Sequence, residues 1–103
     1  MSPTEPLRLS PSEATRKIRL ILQEGTIDYS GHCWLERMPE RNVSTLDVEH
    51  VLAEGEVIRE AEWDSDRWNW KYRVEGTDIE RNEITAITVI FEQDFSVLVV
   101  TVF

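Results

Sequence analysis

Hydrophobic residues recur at helical spacing in the first half of the chain and at every second position in the second half, with the change at Gly55. Ser10-Pro11-Ser12-Glu13 sets up a helix start. The serine caps free N–H groups, the proline takes the first helical position, and the glutamate can reach back to the cap. Ile18, Leu20, Ile21 and Leu22 give this helix an apolar side and Gly25 gives it a stop, which predicts a helix from Pro11 to Glu24. Thr26–Tyr29 reads as a short extended piece. A second helix opens at Ser30 or Gly31 and runs to about Arg41, with Leu35 and Met38 toward the core. Pro39 removes a backbone donor there and crowds the preceding turn, so this element is expected to be kinked or short. Ser44-Thr45-Leu46-Asp47 begins a third helix with the acidic form of the capping box. Leu46, Val48, Val51 and Leu52 form its stripe, and Gly55 ends it.

Beyond Gly55, Val57–Trp63 reads as a strand and Asp64-Ser65-Asp66 as a turn. Trp68, Trp70, Tyr72 and Val74 alternate with Asn69, Lys71, Arg73 and Glu75, the mark of a half-buried strand. Its aromatic face is assigned to the core, whereas Trp34 and Trp63 break their local patterns and are expected to be partly exposed. Glu83–Phe91 and Phe95–Phe103 form a hairpin about Glu92-Gln93-Asp94. Val97–Phe103 hardly alternates, which predicts a central strand covered on both faces. Together these elements predict an α+β domain over residues 10–103. Its helices, in the N-terminal half, pack on one face of a four-stranded antiparallel meander sheet, and residues 1–9 form a loose tail.

Composition narrows the classes. At 103 residues and 41% hydrophobic content, with four tryptophans, the chain supports one core. No apolar run is long enough to span a bilayer, and the first residues lack a secretion signal, so the expected location is the cytoplasm and no membrane partner is expected. Cys33 is the single cysteine, which excludes an intramolecular disulfide and a multi-cysteine zinc site; no metal or cofactor is implied. Twenty acidic residues against 11 basic give a net charge of −9, which opposes generic nucleic-acid binding.

The densest cluster of chemistry is His32-Cys33-Trp34-Leu35-Glu36-Arg37-Met38-Pro39-Glu40-Arg41. On a helix, Glu36 falls four residues after His32, and Arg41 four after Arg37. A carboxylate beside an imidazole suits general acid–base work, and forked guanidinium donors suit a phosphate. The plainer alternative is a solvated face of Glu–Arg pairs with His32 as a helix cap. Lys71 and Arg73 share the polar face of the Trp68–Val74 strand. They are either a phosphate-contacting strip or cross-strand partners of acids such as Glu60 or Glu62. His50 is read as a boundary residue on the third helix.

The string from His32 to Ser44 resembles the signature of a small bacterial family, domain of unknown function 4258, which begins His-Ala and continues through Arg-Met to Arg-Gly-Ile-Ser. Asp47-Val48, Val51-Leu52, Gly55 and the closing Val99-Val100-Thr101-Val102 resemble its later blocks, so the likeness spans roughly residues 28–103. Cys33 stands where the family has alanine, and Asn42 where it has glycine. The family is similar in element order to RelE-like and BrnT-like toxins. That resemblance implies the toxin half of a toxin–antitoxin pair, a metal-independent endoribonuclease whose partners are an antitoxin protein and messenger RNA or the ribosome. It implies His32 as general acid or base, Arg37 and Arg41 as phosphate ligands, and Lys71 and Arg73 as supporting RNA contacts. The competing expectation is a non-catalytic module that homodimerises or docks a partner, in which His32 and Arg41 are scaffold.

Overall fold

A computed structural model describes residues 5–103 of the protein. Helix α1 (Pro11–Glu24) starts and stops where its signals lie. Ser10 Oγ accepts from Glu13 N at 3.2 Å, and the Glu13 carboxylate accepts from Ser10 N at 3.0 Å. Ala14, Ile18 and Ile21 form its fully buried stripe, while Leu20 remains 41% exposed. Strand β1 (Thr26–Tyr29) follows directly. Next come a π-helical turn at Cys33–Arg37, a single turn α2 (Met38–Arg41) and helix α3 (Thr45–Glu54). Helix α3 carries the Ser44–Asp47 capping box and buries Val48, Val51 and Leu52.

The second half supplies β2 (Glu56–Val57), β3 (Glu62–Asp64), β4 (Asn69–Thr77), β5 (Glu83–Phe91) and β6 (Ser96–Val102). Among the described residues the sheet has six strands, in the order β1-β6-β5-β4-β2 with β3 also paired to β4. It is not the expected four-stranded antiparallel meander. The β4-β5-β6 antiparallel core of that expectation is present, but β1 joins β6 in parallel, with Thr26 opposite Ser96 and Tyr29 opposite Val99. The expected Val57–Trp63 strand is instead two short pieces, because residues 58–61 leave the sheet between the β2 and β3 pairings with β4. Strand β6 is central, as its apolar sequence demands.

One face of the sheet packs on the helices. Tyr72, Val74, Ile84, Ala86, Ile90, Val97, Val99 and Val102 join Ile18, Ile21, Val48, Val51 and Leu52 in a single core. Backbones approach closely at two glycines. A Cβ on Gly25 would lie 2.2 Å from the Phe95 carbonyl, and one on Gly55 would lie 2.7 Å from that of Glu75. Trp68 departs from expectation: it sits in the turn before β4 with φ +52° and is 45% exposed, because alternation begins only at Asn69. Its ring stacks edge-on against Trp63, which also packs on Trp70. Of the expected tail, residues 1–4 lie outside the described residues, whereas Pro6 and Leu9 are tied to the sheet. Trp70 Nε1 donates to the Pro6 carbonyl at 2.9 Å, and Leu9 N donates to the Tyr72 hydroxyl at 2.9 Å.

Candidate functional site

The segment from Ser30 to Asn42 is built from both ends. Ser30 N donates to the Val99 carbonyl at 3.0 Å, and Ser30 Oγ donates to the Val100 carbonyl at 2.6 Å. The same hydroxyl accepts from Cys33 N at 3.0 Å, so one side chain joins β6 to the start of the helical segment. Cys33 and Met38, 0% and 3% exposed, anchor the turn in the core. Asn42 ends it in the left-handed conformation, φ +53°, the conformation that glycine or asparagine adopts most easily.

Pro39 explains the π turn. It cannot donate to Leu35, and in a regular α-helix its ring would press on the Leu35 carbonyl. Widening the preceding turn relieves that contact: Met38 N reaches back five residues to the Cys33 carbonyl. The same widening stacks side chains five apart. Arg37 Nε therefore donates to His32 Nε2 at 3.2 Å, while His32 Nδ1 meets Glu36 Oε2 at 2.5 Å. Because Nε2 accepts the arginine N–H, the ring proton resides on Nδ1 and is donated to Glu36. Arg37 Nη1 also reaches Glu40 Oε2 at 3.5 Å. The result is an imidazole held at both nitrogens between a carboxylate and a guanidinium. All four side chains stand in solvent, at 47–62% exposure. Ion pairs so exposed stabilise a fold by about 0–1 kcal/mol, so the cluster contributes little to folding.

Of the residues singled out in the sequence, His32 and Arg37 come together. Arg41 turns elsewhere: Nη2 donates to the Glu83 carbonyl at 3.4 Å, and the side chain lines a polar cavity with Asp47, Asp78 and Glu80. Lys71 and Arg73 alternate with core residues Tyr72 and Val74, so they face away from the helices. They line a groove with Glu60, Glu62 and Asp64 that includes neither His32 nor Arg37. Lys71 lies directly across from Glu62, and the Arg73 guanidinium sits 5.3 Å above the Phe103 ring. These four cations and His32 therefore lie in three separate places. His50 is scaffold, with Nδ1 2.8 Å from the Thr77 carbonyl, to which it donates.

One surface was not anticipated as a site. A groove of ≈410 Å³ runs between the π turn and α3, lined by Trp34, Met38, Pro39, Val43 and Thr45 among others. Trp34 is 53% exposed and packs at 6.0 Å on Tyr29, whose phenol is pushed up to about 12, first by burial and then by the Glu49 carboxylate. Leu35, beside it, is 73% exposed. The available signal was Trp34 falling outside the local apolar pattern.

The family model described as "Domain of unknown function (DUF4258)" matches residues 29–103, nearly three quarters of the chain. The chain belongs to the DUF4258 family. The match begins at the end of β1 and takes in the π turn, the His32 cluster, α3 and every later strand, leaving α1 outside the DUF4258 region. No curated protein and no solved structure matches the chain. Among the described residues no helix is long and apolar enough to cross a membrane.

Proposed function

We propose that this DUF4258 protein is a toxin-like endoribonuclease of a toxin–antitoxin pair, related in design to RelE-like and BrnT-like proteins, with His32, Glu36 and Arg37 as its chemical centre. The observation that carries the reading is the exposed imidazole gripped at both nitrogens, by Glu36 on one side and Arg37 on the other. Glu36 fixes the tautomer and stabilises the imidazolium that forms during proton transfer. In the reaction, Arg37 leaves Nε2 to meet the scissile phosphate, and the freed nitrogen takes the proton of the adjacent ribose 2′-hydroxyl. The 2′-oxygen attacks phosphorus, the 5′-oxygen departs and takes a proton from solvent, and a cyclic phosphate remains. Arg37 then faces the charge that builds on the phosphoryl oxygens. A net charge of −9 keeps the affinity for free RNA low, which favours substrate presented by a larger assembly such as the ribosome.

The test is induced expression with a growth readout, together with cleavage of RNA by purified protein. His32→Ala is expected to lower cleavage by about 10²–10⁴-fold and to relieve growth inhibition, with Arg37→Ala close behind. Unchanged cleavage in a folded His32→Ala protein refutes the reading.

A second reading, a non-catalytic docking module, is favoured by the exposed Trp34 and Leu35 beside their groove. It expects Trp34→Ala to abolish partner binding and His32→Ala to change nothing.

A further inference from the structure

Two rows of opposite charge face each other on the outer side of the sheet without closing into ion pairs. Lys71 and Arg73 stand two residues apart on β4, on one face and about 7 Å from each other at the rise of a strand. Glu62 lies directly across from Lys71, and Glu60 belongs to the stretch that leaves the sheet between the Val57–Val74 and Glu62–Lys71 pairings. Opposite charges on facing strand positions are within reach of one another and favour pairing. Here no carboxylate among the described residues comes within 4.0 Å of the Lys71 ammonium or the Arg73 guanidinium. Residues 58–61 bow out beside Arg73, and the two rows border a groove of ≈330 Å³ whose lining includes the half-buried Ile87 and Val100. We propose that this groove binds a free α-amino acid with an aliphatic side chain. The carboxylate sits on Arg73 and Lys71, the ammonium faces Glu60 and Glu62, and the side chain rests on Ile87 and Val100.

Arg73 holds the anionic end. Its guanidinium lies 5.3 Å above the Phe103 ring, which orients the plane of the fork, and its Nε–H is buried with no acceptor. Folded proteins seldom leave a buried donor in that condition, because it has given up water and gained nothing in return. The residue as a whole is partly exposed and lines the groove, so a carboxylate entering there meets the guanidinium edge and accepts from two N–H groups. The remaining charges select the class of ligand. Arg67 is taken by Asp64 at 2.8 Å, which leaves Lys71 and Arg73 beside Glu60, Glu62 and Asp66. A polyanion would neutralise the two cations but be repelled by the three carboxylates, and a simple cation meets the reverse. A zwitterion with neighbouring charges satisfies both rows, just as Lys71 and Glu62 are neighbours across the strands. The volume lies at the low end of the ~300–1,000 Å³ of small-ligand clefts, which suits a single amino acid and not a longer peptide.

The proposal stands apart from the ribonuclease reading, since neither His32 nor Arg37 lines this groove. Chemical-shift titration of the isotope-labelled full chain with L-leucine tests it. Two analogues run alongside: L-leucinamide, which lacks the carboxylate, and 4-methylpentanoate, which lacks the ammonium. L-leucine is expected to saturate one site with a dissociation constant of about 1 mM or below, its shifts centred on β4 and residues 60–62, and each analogue to bind about tenfold more weakly. Arg73→Gln should weaken leucine and 4-methylpentanoate and leave leucinamide unchanged. Glu62→Gln should weaken leucine and leucinamide and leave 4-methylpentanoate unchanged. This crossed pattern reports recognition of two separate charges, which a damaged fold does not produce. Thermal melts show that each variant is folded, and Lys71→Gln takes the place of Arg73→Gln if that variant is not. No saturable shift at about 20 mM L-leucine overturns the proposal. So does 4-methylpentanoate binding as tightly as leucine, which marks a plain anion site, or leucine binding indifferent to both substitutions. Shifts on these strands with single-stranded RNA and none with leucine also overturn it and give the groove to nucleic acid.

Discussion

Gly55 sits where α1, α3 and β4 meet, and replacing it with alanine measures how tightly those three elements are joined. Its φ of −78° and ψ of 175° suit any residue, so the backbone conformation itself offers no objection to a side chain. Space does. An added Cβ would stand 2.6 Å from the Val51 carbonyl and 2.7 Å from that of Glu75, both backbone atoms, with Val74 Cγ1 at 3.1 Å. Ordinary contact begins at 3.4 Å, so α3 and β4 must separate by several tenths of an ångström. That shift also strains the Arg19 guanidinium bond to the Gly55 carbonyl, 3.0 Å long. Forcing extra atoms into a packed site costs about 1–3 kcal/mol. The lost freedom of the unfolded chain returns about 0.4–1 kcal/mol. The expected net loss is about 1–2 kcal/mol, a fall in melting midpoint of about 4–16 °C for a domain of this size. Gly31→Ala is the matched control: a Cβ there meets nothing within 4 Å and the residue is helical, so it should gain about 0.5–1 kcal/mol. Urea titration followed by circular dichroism gives both values, with unchanged m-values certifying the comparison. A Gly55→Ala protein as stable as the parent, or equal losses at both glycines, refutes the account of this junction.

Three further outcomes are expected. Met38→Ala should cost about 2–5 kcal/mol, because Met38 is 3% exposed and anchors the turn that presents His32; equilibrium unfolding measures it. The Ser44 backbone N–H, with Ser44 Oγ and Ile79 N–H, holds the Asp47 carboxyl below its usual range against a smaller opposing effect of burial. The folded value is lowered, so this stabilisation is present above the unfolded pKa near ~3.9 and lost as pH falls through the folded one. In acid titrations of stability, Asp47→Asn should flatten that descent. Both tyrosines are pushed up by burial, Tyr29 to about 12. The neutral phenols therefore stabilise the fold below pH ~10, and this is lost as pH rises through the folded values. Ultraviolet titration of the native protein should show no phenol ionising at the ordinary ~10 while the chain remains folded.

Local signals in the sequence carried much of the fold. The two capping boxes and the glycines after them give α1 and α3 to the residue, and the β-branched runs give β5 and β6. What local patterns cannot supply is partnership across the chain. Thr26–Tyr29 is legible as extended, but its parallel pairing with β6 depends on a strand 70 residues away. The site divides along the same line. His32 and Glu36 are legible as a pair because four residues complete a helical turn. His32 and Arg37 are not, since only a π turn brings them together, and Pro39 announces irregularity without naming its form. Arg41 is misplaced by the same helical arithmetic, because the chain stops at Asn42 and the side chain turns to Glu83. Lys71 and Arg73 lie on the predicted polar face of β4, but which way that face looks is decided by where the helices pack.

Strand β1 is completed by β6, about 70 residues further along the chain, and Ser30 hangs the His32 turn from β6. A growing chain cannot assemble this arrangement in stages. Until β6 is available, β1 has no neighbour, β5 has an open side, and Ser30 has no Val100 carbonyl to hold. Closing so long a loop before any of its contacts form is slow and concerted. Whatever His32 does, it begins only once β6 has been made and paired, which makes that strand a timer for the turn that carries His32.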